Sequence, residues 1–318
     1  MKGNHMPLLH GMQDLKIERC LHAITSPTKS ILEIGCGKGT FISSAKYHHP
    51  AVDAFGCDID CEIIRYASDK EKGIHYVCCD ALFLPYKDNS FDTIIIIDVL
   101  EHIRAVEAVL LEIQRVLRKG GTLYCHVPCE GEYFTLHWFL WKCKLPGYKL
   151  KEDICGHIQR FTFGNIIHLM KLSGFRIDSM EYMYHPIGQI QDLFGWFLRD
   201  HFLQWIHNTI LRILPSDIEH IVKDLFNHLY KQYKDDKKKI LIHIPSVFRN
   251  MRNDHKSLSK SRFIMSMTIA MIVIIMYGLI RITLISVPCK LLDYASYYES
   301  KVFHKSRLAL GIDIVCKK

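Results

Sequence analysis

The sequence predicts an α/β fold: a mostly parallel sheet with helices on both faces, to which a hydrophobic helical element is added. Three observations lead there. A short apolar run, Ile31-Leu32-Glu33-Ile34, passes straight into glycines at 35, 37 and 39 and then into a helical pattern carried by Phe41, Ile42 and Ala45. Downstream, strand-length apolar runs alternate with helix-length amphipathic ones, and Thr93 to Ile97 is apolar enough for a strand buried on both faces. Finally, Phe263 to Ile280 is an 18-residue stretch without one charge.

Taken in order, residues 1–29 read as a ragged start and a helix near Gln13 to Ile24, stopped by Ser26-Pro27. The first strand, Ser30 to Ile34, feeds the glycine loop. Alternate glycines allow a tight turn and remove the Cβ atoms that would hold a ligand off the backbone, so the loop is a nucleotide-sized cradle. Its spacing is Gly-x-Gly-x-Gly, with Thr40 where a dinucleotide fingerprint would place its last glycine. The second strand, Ala51 to Cys57, delivers Asp58, 19 residues after Gly39 and close to where a ribose-binding carboxylate falls. Ile59 beside it can pack on an adenine face. The competing reading makes Asp60 a helix N-cap and Asp58 a turn residue.

A third strand, Gly73 to Cys79, leads to Asp80-Ala81, and a fourth, Thr93 to Ile97, ends in Asp98-Val99-Leu100-Glu101-His102. Arg104 to Leu117 is an amphipathic helix with Val106, Val109, Leu110, Ile113 and Leu117 on one face, and the fifth strand runs from Thr122 to Val127. From Cys129 to Lys151 the pattern leaves regular structure, and Glu130, Tyr133, Phe134, His137, Trp138 and Trp141 read either as an aromatic lid or as a packed loop. Gly156-His157-Ile158-Gln159-Arg160-Phe161 precedes a helix from Thr162 to Leu172, and Gly174-Phe175 opens the sixth strand.

Glu33 with the three glycines and Asp58 resembles the first motif of class I S-adenosylmethionine-dependent methyltransferases. The run from Asp80 to Asp92, the tip Asp98 to Ile103 and the segment Val116 to Pro128 are similar, in order and register, to the broad subgroup that includes ubiquinone and sterol methylating enzymes. The resemblance covers Ser30 to about Tyr182. It implies a Rossmann-like seven-stranded sheet and S-adenosyl-L-methionine as cofactor. Glu33, Gly35, Gly37 and Gly39 would take its amino-acid end, Asp58 and Ile59 the ribose and adenine face, and Asp80 and Ala81 the adenine amino group, with Asp98 completing the cofactor set. His102 is open between a catalytic contact and holding its loop, and His157 between accepting a proton from an acceptor hydroxyl and holding the lid.

Composition adds a membrane. Hydrophobic residues make up 49% of the chain and mean hydropathy is +0.04, high for a protein whose apolar groups all lie in a core. The charge of +8, without zinc-knuckle spacing or an RNA-recognition signature, points to an anionic bilayer rather than nucleic acid. Twelve cysteines without paired Cys-x-x-Cys spacing, after an N-terminus lacking a secretory core, read as reduced cytosolic thiols, and no metal-ligand set shows.

Residues 185–248 read as amphipathic and helical, suited to a membrane interface or a core. Residues 249–288 read as a basic linker and a hydrophobic membrane segment over 263–288. Phe263 to Ile280 would span about 27 Å as a helix, and Arg249, Arg252, Lys256, Lys260 and Arg262 before it place the catalytic domain on the cytoplasmic side. The seventh strand is either Ile240 to Ile244 or, within 289–318, Gly311 to Cys316. In the second case the hydrophobic segment is an insertion whose two ends return to one sheet. The function expected is methyl transfer to a membrane-associated small molecule, a quinone or isoprenoid lipid or a lipid-linked saccharide. The alternatives are a non-catalytic S-adenosylmethionine-binding membrane subunit and a membrane-tethered methyltransferase of a soluble or protein acceptor.

Overall fold

The computed structural model describes residues 11–24, 27–144, 152, 155–196, 268, 287–307 and 309–318. The chain divides into two units, Met1–Leu193 with Lys290–Lys318, and Phe194–Cys289. The second falls almost wholly outside the described residues, and with it the expected membrane segment 263–288, the strand candidate Ile240 to Ile244 and most of the amphipathic region. Among the described residues, no helix is long and apolar enough to cross a membrane.

The first unit runs α1 (Met12–Ala23), β1 (Ser30–Ile34), α2 (Thr40–His48), β2 (Asp53–Asp58), α3 (Cys61–Lys70), β3 (Ile74–Cys78) and β4 (Phe91–Ile97). It continues with α4 (Val106–Val116), β5 (Leu117–Pro128), α5 (Leu136–Lys142), α6 (Phe163–Leu172), β6 (Arg176–Met183), α7 (Pro186–Trp196), α8 (Val287–Val302) and β7 (Gly311–Lys317). Seven strands form one sheet in the order β3-β2-β1-β4-β5-β7-β6, parallel except for β7, which pairs antiparallel with both β5 and β6. This is the Rossmann-like architecture expected, and the seventh strand is the C-terminal candidate.

Side chains alternate along a strand, and here each parity has its own helices. Leu32, Ile34, Ile94 and Ile96 pack with Val109, Leu110 and Ile113 of α4 and Ile166 and Met170 of α6. Ile31, Ile95 and Ile97 pack on the other face with Cys20 and Ala23 of α1 and Ile42 and Ala45 of α2. Both faces of β1 and β4 are therefore dry, which is why these strands read as unbroken apolar runs.

Several expectations change. The N-terminal helix α1 and the C-terminal segment belong to the same compact unit as the strands between them. Arg19 of α1 explains the first: its guanidinium reaches Asp313 on β7 at 2.6 Å, Glu181 on β6 at 2.8 Å and the carbonyls of Tyr182 and Ser300. The stretch after Cys129 contains α5, whose start is capped by Thr135, its hydroxyl accepting from Trp138 N at 3.1 Å. The cysteines are not all reduced: Cys61 at the start of α3 and Cys78 at the end of β3 form a disulfide. Pairing was invisible in the spacing because the fold, not a local motif, brings the start of α3 to the tip of the adjacent strand. Six others, Cys20, Cys36, Cys57, Cys125, Cys129 and Cys316, are buried free thiols, as expected of small core residues.

Candidate active site

The strand order reverses direction between β1 and β4, and the carboxyl ends of these strands carry the site. The loop after β1 turns on Gly35, whose φ is +69° and whose added Cβ would lie 2.2 Å from Val99. At Gly37, with φ +51°, a Cβ would meet only Ile63 at 3.9 Å, so the backbone there faces open space. Gly39, also left-handed, is the N-cap of α2. Asp58 Oδ2 accepts from Gly37 N at 2.8 Å and Oδ1 from Asp60 N at 3.0 Å, tying the tip of β2 to the cradle. Asp60 separately caps α3, accepting from Glu62 N and Ile63 N, so the capping reading and the ribose reading occupy different carboxylates. Ile59 is 72% exposed, an apolar side chain held in solvent beside the loop. Asp80 Oδ1 accepts from Leu82 N at 2.9 Å and shapes the turn that carries Ala81.

Glu33 is placed elsewhere than expected. It shares the strand face of Ile31, is 2% exposed, and accepts from Ile42 N at 2.8 Å in the first turn of α2. Its carboxylate serves the helix N-terminus rather than the open cradle, where its strand parity does not let it point. Burial above all pushes its carboxyl up, to about 8, with Asp58 adding to the shift and the Ile42 hydrogen bond opposing it. Folding therefore takes up a proton, and stability falls as pH rises from the usual carboxylate range toward 8. A Glu33→Gln variant keeps an oxygen for Ile42 N and escapes that loss. In urea unfolding its stability relative to the parent is expected to improve by about 3 kcal/mol between pH 6 and pH 9. Its affinity for S-adenosylmethionine should stay within about threefold; a tenfold loss would return Glu33 to direct ligand contact.

Beyond the cradle lies a cavity of about 200 Å³ lined by Lys16, Asp98, Glu101, His102, His126, Pro128, His157, Tyr184 and Leu310. Asp98, at the tip of β4 with φ +54°, receives a hydrogen bond from Lys16 Nζ at 2.5 Å. Glu101 is fully buried, and neither oxygen has a hydrogen-bond partner among the described residues. Burial first, and Asp98 second, push its carboxyl well above the carboxylate range. The Nε2 atoms of His102 and His157 each lie 4.0 Å from Glu101 Oε1. Their other ring nitrogens are engaged, His102 Nδ1 with Gly156 O at 3.2 Å and His157 Nδ1 with Glu130 Oε1 at 2.8 Å. Burial works against a charge on His157, but Cys155, Glu130 and Glu101 together push it up to about 10. The shift favours the protonated ring, so of the two roles left open for His157, holding its loop through Glu130 fits better than accepting a proton.

Glu101, His102 and His157 bring three donor atoms within 4.8 Å of one another, a set that could hold a metal ion. The sequence reading found no such set because His157 comes from a separate loop far along the chain. It placed Glu130 only among the lid residues, and it missed Lys16, His126 and Asp313. The signal was available for the last two: each is a titratable residue inside an apolar strand, Tyr124-Cys125-His126-Val127 and Ile312-Asp313-Ile314.

Glycines opening onto an acid-tipped second strand fit S-adenosylmethionine, the cofactor that the resemblance implies. Residues 32–125 match the family described as a methyltransferase domain. An uncharacterized protein of Methanocaldococcus jannaschii is 37% identical over 93 residues, 29% of this chain and 38% of that one. A probable tRNA methyltransferase 9B of Bos taurus is 34% identical, over 42% of this chain and 32% of its own length. A demethylmenaquinone methyltransferase of Thermobifida fusca is 29% identical, over 34% of this chain and 49% of its own. The matched segments thus span a third to a half of these relatives.

Proposed function

We propose that the chain methylates a membrane-associated small molecule with a large apolar body, such as a quinone or isoprenoid lipid or a lipid-linked saccharide. The observation that carries this reading is a second cavity of about 450 Å³ lined by Phe134, Leu136, Trp138, Phe139, Pro186 and Ile190, apolar but for Thr135 and Gln189. Phe134 is 82% exposed, too apolar a surface to leave wet without use. Tyr184 lines the polar cavity and Pro186 the apolar one, so a molecule with a polar head and an apolar tail would meet both through one short segment. The chargeless stretch from Phe263 to Ile280, with basic residues before it, supports a bilayer at the cytoplasmic face as the place of work.

S-adenosylmethionine, when bound, supplies a methyl group on a positively charged sulfur. Asp58 and the loop at Gly37 hold and orient it, Ile59 covers an apolar face, and Asp98 with Lys16 sets the boundary of the acceptor cavity. Because the leaving group carries its own activation, alignment and exclusion of water supply much of the rate.

The test is to incubate membranes carrying the protein with methyl-labelled S-adenosylmethionine and added total tRNA, then separate organic, RNA and protein fractions. Label is expected in the organic fraction and absent with Asp58→Ala. Label in tRNA would favour an RNA acceptor, a reading supported by the similarity to the Bos taurus protein, a probable tRNA methyltransferase. No label above the control would support the non-catalytic binding subunit instead.

A further inference from the structure

We propose that His126 is the base that takes the proton from a hydroxyl on the acceptor, oriented by Asp313 as a positioning residue; this rests on the methyltransferase reading above and narrows its acceptor to an oxygen nucleophile.

His126 and Asp313 are direct cross-strand partners in the antiparallel β5–β7 pair, so their side chains share one face of the sheet. His126 Nδ1 lies 2.7 Å from Asp313 Oδ1, and the Tyr124 hydroxyl donates to the same oxygen at 2.9 Å. Arg19 donates to Oδ2 at 2.6 Å. Asp313 is 3% exposed, and although burial alone would raise its carboxyl, His126 and Arg19 hold it down at about 2. An ionised carboxylate on Nδ1 keeps a proton there, so Nε2 is the position through which the ring exchanges a proton with the cavity.

That nitrogen is buried and lacks a hydrogen-bond partner among the described residues, yet its ring lines the 200 Å³ cavity. The other charged and titratable groups lining that cavity are Asp98, whose Oδ1 is 3.4 Å from Nε2, Lys16, Tyr184, Glu101, His102 and His157. Burial works against the Lys16 charge, but Asp98 more than offsets it and holds the ammonium above its ordinary range. Nε2, with Asp98 Oδ1 3.4 Å away and the fixed Lys16 ammonium lining the same cavity, suits a ligand that offers a proton and then becomes negative. A hydroxyl, above all a phenolic one, does both; an ammonium acceptor would meet Lys16 as a like charge.

The acceptor O–H bond breaks as its proton passes to His126 Nε2. The oxygen pair forms the new O–CH₃ bond while the C–S bond of the sulfonium breaks, its pair remaining on sulfur as a neutral thioether. The imidazolium then returns its proton to solvent, so one proton is released per methyl transferred.

The test uses the full chain with S-adenosylhomocysteine bound and 4-nitrophenol as probe, whose phenolate is seen in the visible spectrum. The expected result is an apparent pKa of the bound probe about one unit below its value in buffer, a tenfold gain in phenolate at acid pH. His126→Gln should abolish the shift while S-adenosylhomocysteine affinity and melting temperature are kept. Asp313→Asn should weaken the shift; should that buried change prevent folding, His126→Gln decides alone. No shift, or an equal one with His126→Gln, overturns the proposal. With the labelled acceptor fraction, His126→Gln is expected to lower kcat about 10²–10⁴-fold with KM little changed. Transfer retained within threefold would overturn the base and leave the methyltransferase reading standing. Absence of transfer by the unaltered protein would sink that reading instead, with the probe still judging His126.

Discussion

An Asp58→Ala variant is expected to bind S-adenosylmethionine about 100-fold more weakly than the unaltered chain, measured by calorimetric titration. Two effects add. The carboxylate oxygens, which accept from Gly37 N and Asp60 N, retain lone pairs for the two ribose hydroxyls. Charge-assisted hydrogen bonds of this kind contribute about 1.5–3 kcal/mol each, and part of that is returned as water rehydrates the emptied position. A net loss of ~3 kcal/mol corresponds to about 100-fold. The same change releases Gly37 N, so the cradle also loses the clamp that fixes its shape. Asp58→Asn, which keeps an oxygen for one of these bonds, should fall between the two. Affinity for the alanine variant within fivefold of the original would remove Asp58 from the ribose site and revive its reading as a turn residue.

The largest stability effect is expected at Arg19. Arg19→Met should cost about 3–5 kcal/mol in urea unfolding, because it leaves the buried Asp313 carboxylate short of a cation and strips donors from the Tyr182 and Ser300 carbonyls. The pH dependence carries a second signature. Asp313 is held at about 2, below its usual value, so its contribution is complete above roughly pH 4 and disappears as pH falls through about 2. That contribution amounts to about 2 kcal/mol in the unaltered chain and should shrink in Arg19→Met. A variant as stable as the parent at pH 7 would show that the guanidinium network is a surface decoration rather than the tie between α1 and the far half of the sheet.

What could be read from the sequence was what is local. The passage from Ile31 to Thr40 specifies a strand, a turn and a helix through nearest neighbours, and Asp58 and Asp80 follow from the same periodicity. Gly311 to Cys316 was legible as a strand because its alternation needs no partner to be seen. The acceptor side was not legible, since it is assembled from α1, the tips of β4 and β5, the loop at His157 and β7, and no spacing connects Lys16 to Asp313. Glu33 shows the reverse error: its place beside the glycines suggested ligand contact, whereas strand parity turns it toward α2. His157 was found by its segment, but its role stayed open there because Glu130 and Cys155 cannot be foreseen as its neighbours.

The place of β7 has a consequence for how this chain is made. Among the described residues β6 pairs with β7 alone, and its partner at Met183 is Gly311, roughly 130 residues later. Closing a loop of that length costs about 2 kcal/mol more than closing a ten-residue one. During synthesis β1 to β5 can assemble as they emerge, while β6 waits with an unpaired edge through the whole of 194–289. The half-built domain is thus a sticky-edged intermediate for several seconds at ribosomal speed, and whatever engages the 194–289 segment in that interval acts before the sheet is closed.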